Sequence, residues 1–350
     1  MQIDFHHAVT YVLARWAGFD HSEAETIAYA AQYVDDATYT GAVEFKGGQK
    51  YCRTASAYTM KDVKNLIPIE NVHSWVPFHF LPGNGGYDIG QTPPIKFSEQ
   101  MLCIHNSKPA KHMLNNCILN KESDFGGLHL LGITMHVYAD TWAHQGFAGI
   151  HNEINSVHNL DAIDILNYKE LKDKGWAFLA PNIGHGSASS YPDRPFLRWR
   201  YNNHAKLPIE RNNTDECLDA AQHMLEFMTK YNSSPKATQV HFDKVKDFLK
   251  ENFIRIGGND EKERHRCWIG LIEQGVPHLD GTALYYYPDG DNSWKWKAVG
   301  DLQALHDEGK SPEYTPAFLE SDWKKFHDAL QYHRLYVLNV LLPKYGICAG

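Results

Sequence analysis

The segment from Leu128 to Gln145 constrains this fold more than any other stretch. Leu130, Leu131, Ile133, Met135, Val137 and Ala139 make it strongly apolar, and it begins just after Gly126 and Gly127, so it predicts a helix buried within the protein. Among the polar residues that interrupt it, His136, Asp140 and His144 are each four residues from the next. At about 100° per residue that spacing puts all three on one stripe of the helix face, where they can converge on one site. A lone helical histidine is more often a hydrogen-bonded core or surface group than a ligand. Here the stripe has little polar company nearby in sequence, and an ionised Asp140 in such a helix needs a cation or strong donors to offset its desolvation. Neutral imidazole nitrogens with a carboxylate are a normal ligand set for zinc, so a metal cluster centred on this helix is expected. His129, nearly on the same face, reads as a supporting or capping group.

The surrounding pattern predicts an all-α chain. Asp4 as an N-cap and Gly18 as a stop bracket a helix over Phe5 to Ala17. A capping box at Ser22 and Glu25 opens a second helix that runs to about Tyr33. Short helices are expected at about 54–65 and 97–118, separated by the Pro- and Gly-rich segment from Pro77 to Pro94. Further helices are expected at about 214–230, 238–253, 261–274 and 315–341. The stretch from Asn182 to Leu207, rich in Gly, Pro, Ser and Asn, reads as a long ordered loop, which in a compact domain is more often functional than idle. Tyr285 to Val299, with Trp294 and Trp296 alternating, predicts one β-hairpin. No repeat or low-complexity linker divides the chain, so a single helical domain over 1–350 with long ordered loops is expected.

Composition removes several function classes. With 43% hydrophobic residues in 350, the chain can bury an ordinary core. The net charge of −8 is spread without a run of like charges, so there is no strong nucleic-acid signature. The six cysteines form no C-x-x-C pair, which argues against a zinc ribbon or a dithiol redox centre. The longest apolar run, Leu335 to Leu342, is broken by Asn339 and is too short to be a transmembrane segment. The opening residues, Met1 to His7, lack the pattern of a signal peptide. A cytoplasmic location is therefore expected, although export by a signal-independent route would leave no mark. Nothing in the sequence specifies an oligomeric state.

Other histidines and aspartates sit in similarly unusual settings. His6 opens the apolar first helix, and Asp35 and Asp36 end the second. His79 lies in the rigid apolar segment Val76 to Pro82, where an unpaired imidazole would be poorly solvated. His185 lies in Gly184-His185-Gly186 and Asp193 in Tyr191-Pro192-Asp193-Arg194-Pro195, both suited to bringing backbone close to a bound group. Singly each has a plain explanation, which for Asp193 is a turn residue paired with Arg194.

Read together, these residues resemble the zinc-dependent phospholipase C and S1/P1 nuclease superfamily, all-helical phosphoesterases with a tri-zinc site. The phrases DFHHAVTYVLARWAGF, AYAAQYVDDA, VPFHFLPG, GITMHVYADTWAHQGFAG and GHGSASSYPDRP look closer still to an uncharacterised bacterial family related to it. The resemblance covers about residues 1–205 and leaves a helical extension over about 206–350. It implies that His6, Asp35 or Asp36, His79, His136 and Asp140 are metal ligands, with Asp140 bridging, and that His144, His185 and Asp193 complete the remaining site. Two zinc ions are implied, and three if that site is complete. The secreted relatives use their terminal amine as a ligand. Because this sequence opens at Met1 without a leader-like segment, Asp4 or water is expected in that place. The phospholipases also end their ligand set with a glutamate four residues after a histidine, a spacing that His185 and Asp193 do not reproduce.

The resemblance further implies phosphodiester hydrolysis by a metal-activated hydroxide on a small phosphoester or phospholipid substrate, with Asp35 or Asp36 orienting or deprotonating the water. Trp142, Trp199, Trp294 and Trp296 are candidates for an apolar approach surface. Three alternatives stay open: a P1-type nuclease or nucleotidase, an HD-type phosphohydrolase built on His306-Asp307 or His327-Asp328, and a metal-stabilised binding protein without catalysis.

Overall fold

In the computed structural model, which describes residues 1–58, 67–163, 182–232 and 240–348, the expectation of a mainly helical chain holds. The chain opens with a π turn, Asp4–Val9, that runs directly into α1, Thr10–Trp16. Asp4 lies inside that turn instead of capping it, and the N-cap position falls to Ile3. Helix α2, His21–Asp36, starts at a capping box formed by Asp20 and Glu23, upstream of the expected Ser22 and Glu25 pair. A hairpin of β1, Gly41–Glu44, and β2, Lys50–Arg53, follows, with Gly41 opposite Arg53.

Next come α3, Pro68–Phe78, α4, Phe97–Gln100, α5, Lys108–Leu119, and α6, Gly127–Ala143. Strands β3, His158–Ala162, β4, Arg198–Asn202, and β5, Pro208–Asn212, form an antiparallel sheet in that order. The C-terminal part holds α7, Asn213–Asn232, α8, Lys246–Arg255, α9, Glu261–Gln274, α10, Trp294–Val299, α11, Leu302–Asp307, α12, Pro316–Glu320, and α13, Asp322–Leu335, which continues into a π turn, Tyr336–Leu341.

Helix α6 is the axis of the fold. Every residue from His129 to Ala143 is buried, and α2, α5, α7 and α13 pack around it. Its tightest contact is with α2 at Gly132, where a Cβ would lie 2.4 Å from the Ile27 carbonyl oxygen and 2.6 Å from the Ala30 Cβ. Glycine on one helix and alanines on the other let the two backbones approach closely, and this approach brings the end of α2 to the His136 stripe. The C-terminal carbonyls of α6 are met by the buried Arg211 of β5, which donates to Trp142 O at 2.7 Å and Ala143 O at 2.9 Å. A cation placed on free carbonyls at a helix C-terminus also complements the helix dipole.

A single apolar cluster takes in residues from Met1 to Ile347, so the residues after 205 share the core of those before it. Phe5 stacks on Phe253 at 5.9 Å, and Tyr33 meets Phe326 at 5.0 Å. Among the described residues no helix is long and apolar enough to cross a membrane.

Several expected elements differ. The hairpin does not lie at 285–299: residues 285–293 form no strand, and Ser293 caps α10 by accepting from the Trp296 amide. The alternation of Trp294 and Trp296 arises because one is buried and the other partly exposed on a short helix. The helix expected at 54–65 is absent over 54–58, and 59–65 lies outside the described residues. The segment expected to separate helices begins inside α3, where Pro77 sits near the C-terminal end. The 97–118 helix is split into α4 and α5, and Ser107 caps the second. The long loop expected at 182–207 contains β4 and two 3-10 turns, Gly186–Ala188 and Tyr191–Asp193. The 238–253 helix begins only at Lys246, and the 315–341 helix breaks at Ser321, which caps α13 through its hydroxyl.

Candidate metal centre

Five structural segments deliver side chains to one buried point on α6. The π turn contributes His6, the end of α2 contributes Asp35, the residue after α3 contributes His79, and the loop of 3-10 turns contributes His185 and Asp193. From α6 come His136 and Asp140, with His144 at its C-cap. These residues fall into three groups of converging ligand atoms: His6, His136 and Asp140; Asp35, His79 and His136; His144, His185 and Asp193. His136 is shared by the first two.

Asp140 links all three. One carboxylate oxygen, Oδ1, lies 3.1 Å from His6 Nε2. The other, Oδ2, lies 3.3 Å from His79 Nδ1, 3.3 Å from His136 Nε2 and 3.5 Å from His144 Nδ1. In the third group His144 Nε2 is 3.4 Å from Asp193 Oδ1, and His185 Nε2 is 3.6 Å from Asp193 Oδ2. Asp35 Oδ1 is 3.8 Å from both His79 Nδ1 and His136 Nε2.

The backbone partners of the imidazoles decide which nitrogen faces inward. His136 Nδ1 donates to Ala31 O at 2.8 Å, His144 Nδ1 to His79 O at 2.7 Å, and His185 Nδ1 to Ser189 O at 2.7 Å. A carbonyl can only accept, so in each neutral ring the proton is on Nδ1 and Nε2 carries a lone pair. His79 is reversed: Nε2 donates to Ser56 O at 3.1 Å, which leaves Nδ1 as the lone pair. His79 Nδ1 and His136 Nε2 therefore face each other at 3.2 Å, with Asp35 and Asp140 oxygens beside them. With both rings neutral, these groups meet as acceptors, an arrangement that a bound cation would relieve.

The spacing fits one. Zinc bonds of about 2.0–2.1 Å in a tetrahedron separate adjacent ligand atoms by about 3.4 Å. His6 presents Nε2 to Asp140, and its buried outer Nδ1 has no hydrogen-bond partner. Its ring stacks on His136 at 3.8 Å. Holding ligand imidazoles by carbonyls on their outer nitrogens is how metal sites fix tautomer and orientation.

The electrostatics point the same way. Burial pushes His136 and His144 down to about 4 despite Asp140 beside them. Burial, with His136 next to it, holds His6 well below its ordinary value. All three are neutral at pH 7 and able to donate lone pairs. Burial alone would raise Asp140, but His144, the Met1 ammonium, His136 and His6 outweigh it and keep the carboxyl well below the usual range. Burial and then the Asp140 charge push Asp35 well above its ordinary value. The Asp35 side chain is 32% exposed and that of His185 20%, so these two form the open edge of an otherwise buried cluster.

The backbone around the loop is under tension. Ser189, which supplies the carbonyl for His185, has φ 51° and ψ −140°, a region L residues rarely adopt. Gly184 has φ 53°, and a Cβ there would lie 2.2 Å from the Phe80 ring, which itself stacks on His144 at 4.5 Å. Glycine at 184 therefore lets His185 approach.

The remaining sequence candidates go elsewhere. Asp36 accepts from Tyr286 Oη at 2.5 Å and from Gln32, so of the two adjacent aspartates it is Asp35 that faces the histidines. Asp4 does not enter the cluster and instead pairs with Arg264 at 2.8 Å. The Met1 amino group lies beside the cluster as an ion-pair partner, buried 2.5 Å from Asp140 Oδ1 and 3.4 Å from Asp193 Oδ1. Burial would lower that amine, but Asp140 and Asp193 raise it to about 11. No side-chain pattern signals such a contribution, because a terminal amine is not a residue type.

His129 bonds Asp322 at 3.0 Å, away from the cluster. His306 is exposed beside Asp307, while His327 accepts from the Thr54 amide and Asp328 pairs with Lys324, so neither His-Asp doublet joins a ligand group among the described residues. Of the four tryptophans, Trp142, Trp199 and Trp294 are buried and Trp296 is 39% exposed.

Comparison with curated proteins and with solved structures finds no match in either. A family of unknown function, DUF6765, matches residues 1–341, a span that takes in both the ligand cluster and the C-terminal helices packed on it. The chain belongs to this family.

Proposed function

We propose that the chain is a metal-dependent phosphodiester hydrolase that binds at least two zinc ions and acts on a small phosphoester or phospholipid headgroup. The observation that carries this reading is the convergence of unprotonated imidazole nitrogens and carboxylate oxygens on one buried point with an open edge. His79, His136 and Asp35 would hold one ion, His6, His136 and Asp140 a second, and His144, His185 and Asp193 the third position. Bound divalent ions supply a water of lowered pKa and neutralise charge on phosphoryl oxygens.

The protein's own groups do the rest. Asp140, held among His6, His79, His136, His144 and the Met1 amino group, sets the spacing between the groups. Asp35, at the open edge with its affinity for a proton raised, orients the water and takes its proton. Tyr286 holds Asp36 beside it, which keeps the second carboxylate out of the ligand set. The exposure of Asp35 and His185 favours catalysis over a closed structural site, in which side chains fill every position.

Elemental analysis of the purified protein and hydrolysis of bis(p-nitrophenyl) phosphate test the reading together. At least two equivalents of zinc and metal-dependent release of nitrophenol are expected. A fully folded preparation that holds no metal overturns it.

A further inference from the structure

The C-terminal half carries a fully buried arginine that reaches segments framing the cluster. Arg264 on α9 donates from Nε to Asp4 Oδ2 at 2.8 Å and from Nη1 to Gly258 O at 2.7 Å, and its Nη2 donates to Gln2 Oε1. Its guanidinium lies over the Phe196 ring at 5.9 Å, just beyond the Asp193 turn. Asn259, next to Gly258, accepts from Arg194 Nη1 at 3.2 Å. The Gln2 carbonyl in turn accepts from the amides of Phe5 and His6, both at 2.9 Å, and so begins the π turn that presents His6. Two elements of the cluster that are far apart in sequence, the opening residues with His6 and the loop with Asp193, are thus tied to the same short stretch, residues 258–264.

A buried arginine paired with one buried carboxylate is weak support for stability, because desolvation offsets much of the attraction. A planar fork that satisfies three separate acceptors serves geometry instead. We infer that Arg264 is a positioning residue that sets the opening segment against α6, so that His6 meets Asp140 at ligand distance. The inference rests on the metal reading above, and it gives the C-terminal helices a part in the site. Arg264 touches none of the ligand atoms. It acts through Gln2 and Asp4, and the ions it governs are those that use the opening segment, whereas the Asp35, His79 and His136 group is held by α2, α3 and α6 without it.

The test is zinc retention in a series of chelator buffers, measured on the whole chain for wild type, Arg264→Lys and Gln2→Ala, with urea unfolding of each metal-free protein. Arg264→Lys keeps the charge opposite Asp4 and loses the fork. It should weaken one class of ion 10- to 100-fold, the usual consequence of removing an outer partner of a metal site, and leave another class at wild-type affinity. Gln2→Ala should weaken the same class by less, with unfolding unchanged, and it decides the matter if Arg264→Lys does not fold. Wild-type affinity for every ion in the folded variants overturns the inference, as does uniform weakening of all of them. If wild type takes up no zinc, the metal reading fails and this inference fails with it. Zinc held equally by wild type and variants defeats this inference alone.

Discussion

Replacing Gly132 with alanine tests whether the close approach of α2 and α6 builds the cluster. The added Cβ would start 2.4 Å from the Ile27 carbonyl oxygen and 2.6 Å from the Ala30 Cβ, and neither can swing aside as the end of a flexible side chain would. Restoring ordinary contact requires α2 to move off by about 1 Å, an overpacking that costs about 1–3 kcal/mol. That movement stretches the 2.8 Å bond from His136 Nδ1 to Ala31 O beyond hydrogen-bond range, a loss of about 1 kcal/mol. The better helix propensity of alanine returns at most about 1 kcal/mol. A net destabilisation of about 1–3 kcal/mol is therefore expected in urea unfolding of the metal-free protein.

The same movement carries Asp35 away from His79 and His136, so zinc affinity should fall about 10- to 100-fold. Gly270 on α9 is the control: a Cβ there meets nothing within 4 Å, and Gly270→Ala should gain up to about 1 kcal/mol with zinc affinity unchanged. Equal stability and equal zinc affinity in Gly132→Ala and wild type would show that the close approach does not build the cluster.

Other perturbations separate neighbouring groups. Asp35→Asn should abolish phosphodiesterase activity and lower zinc content, whereas Asp36→Asn, which touches Tyr286 and Gln32, should retain the metal; the reverse ranking in elemental analysis would reassign the ligand. His136→Ala should lose zinc and His327→Ala should keep it, and the opposite pattern would favour the HD-type alternative. Burial, with Arg53 nearby, lowers His327 to about 3, so its neutral form is favoured in the fold. Its contribution to stability is complete above about pH 6.5 and declines as pH falls from there toward 3, by about 1.4 kcal/mol per unit. Between pH 6.5 and 5 the metal-free wild type should lose about 2 kcal/mol more than His327→Gln in urea titrations, and parallel losses would remove His327 as the cause.

The stripe of His136, Asp140 and His144 was legible because helical periodicity is a local property and three ionisable groups stand out in an apolar helix. His6, His79, His185 and Asp193 stood out by their settings, but only the resemblance joined them to the stripe, since none has a spacing that binds it there. The choice between Asp35 and Asp36 was not legible. Consecutive helical residues point about 100° apart, and only the packing of α2 on α6 decides which one faces the histidines. The Met1 amine, the Arg211 cap and the Arg264 fork depend on long-range contacts with no local signature. The false hairpin at 285–299 has a physical origin: alternating tryptophans imitate a strand, while the Ser293 hydroxyl on the Trp296 amide starts a helix.

The measurement that bears most directly on the central claim is anomalous diffraction at the zinc edge from crystals of the protein grown with zinc. A peak is expected between His79 Nδ1, His136 Nε2 and Asp35, at about 2.0–2.2 Å from each ligand atom, and a second beside Asp140. An ordered cluster with these side chains in place and no anomalous peak among them would contradict that claim.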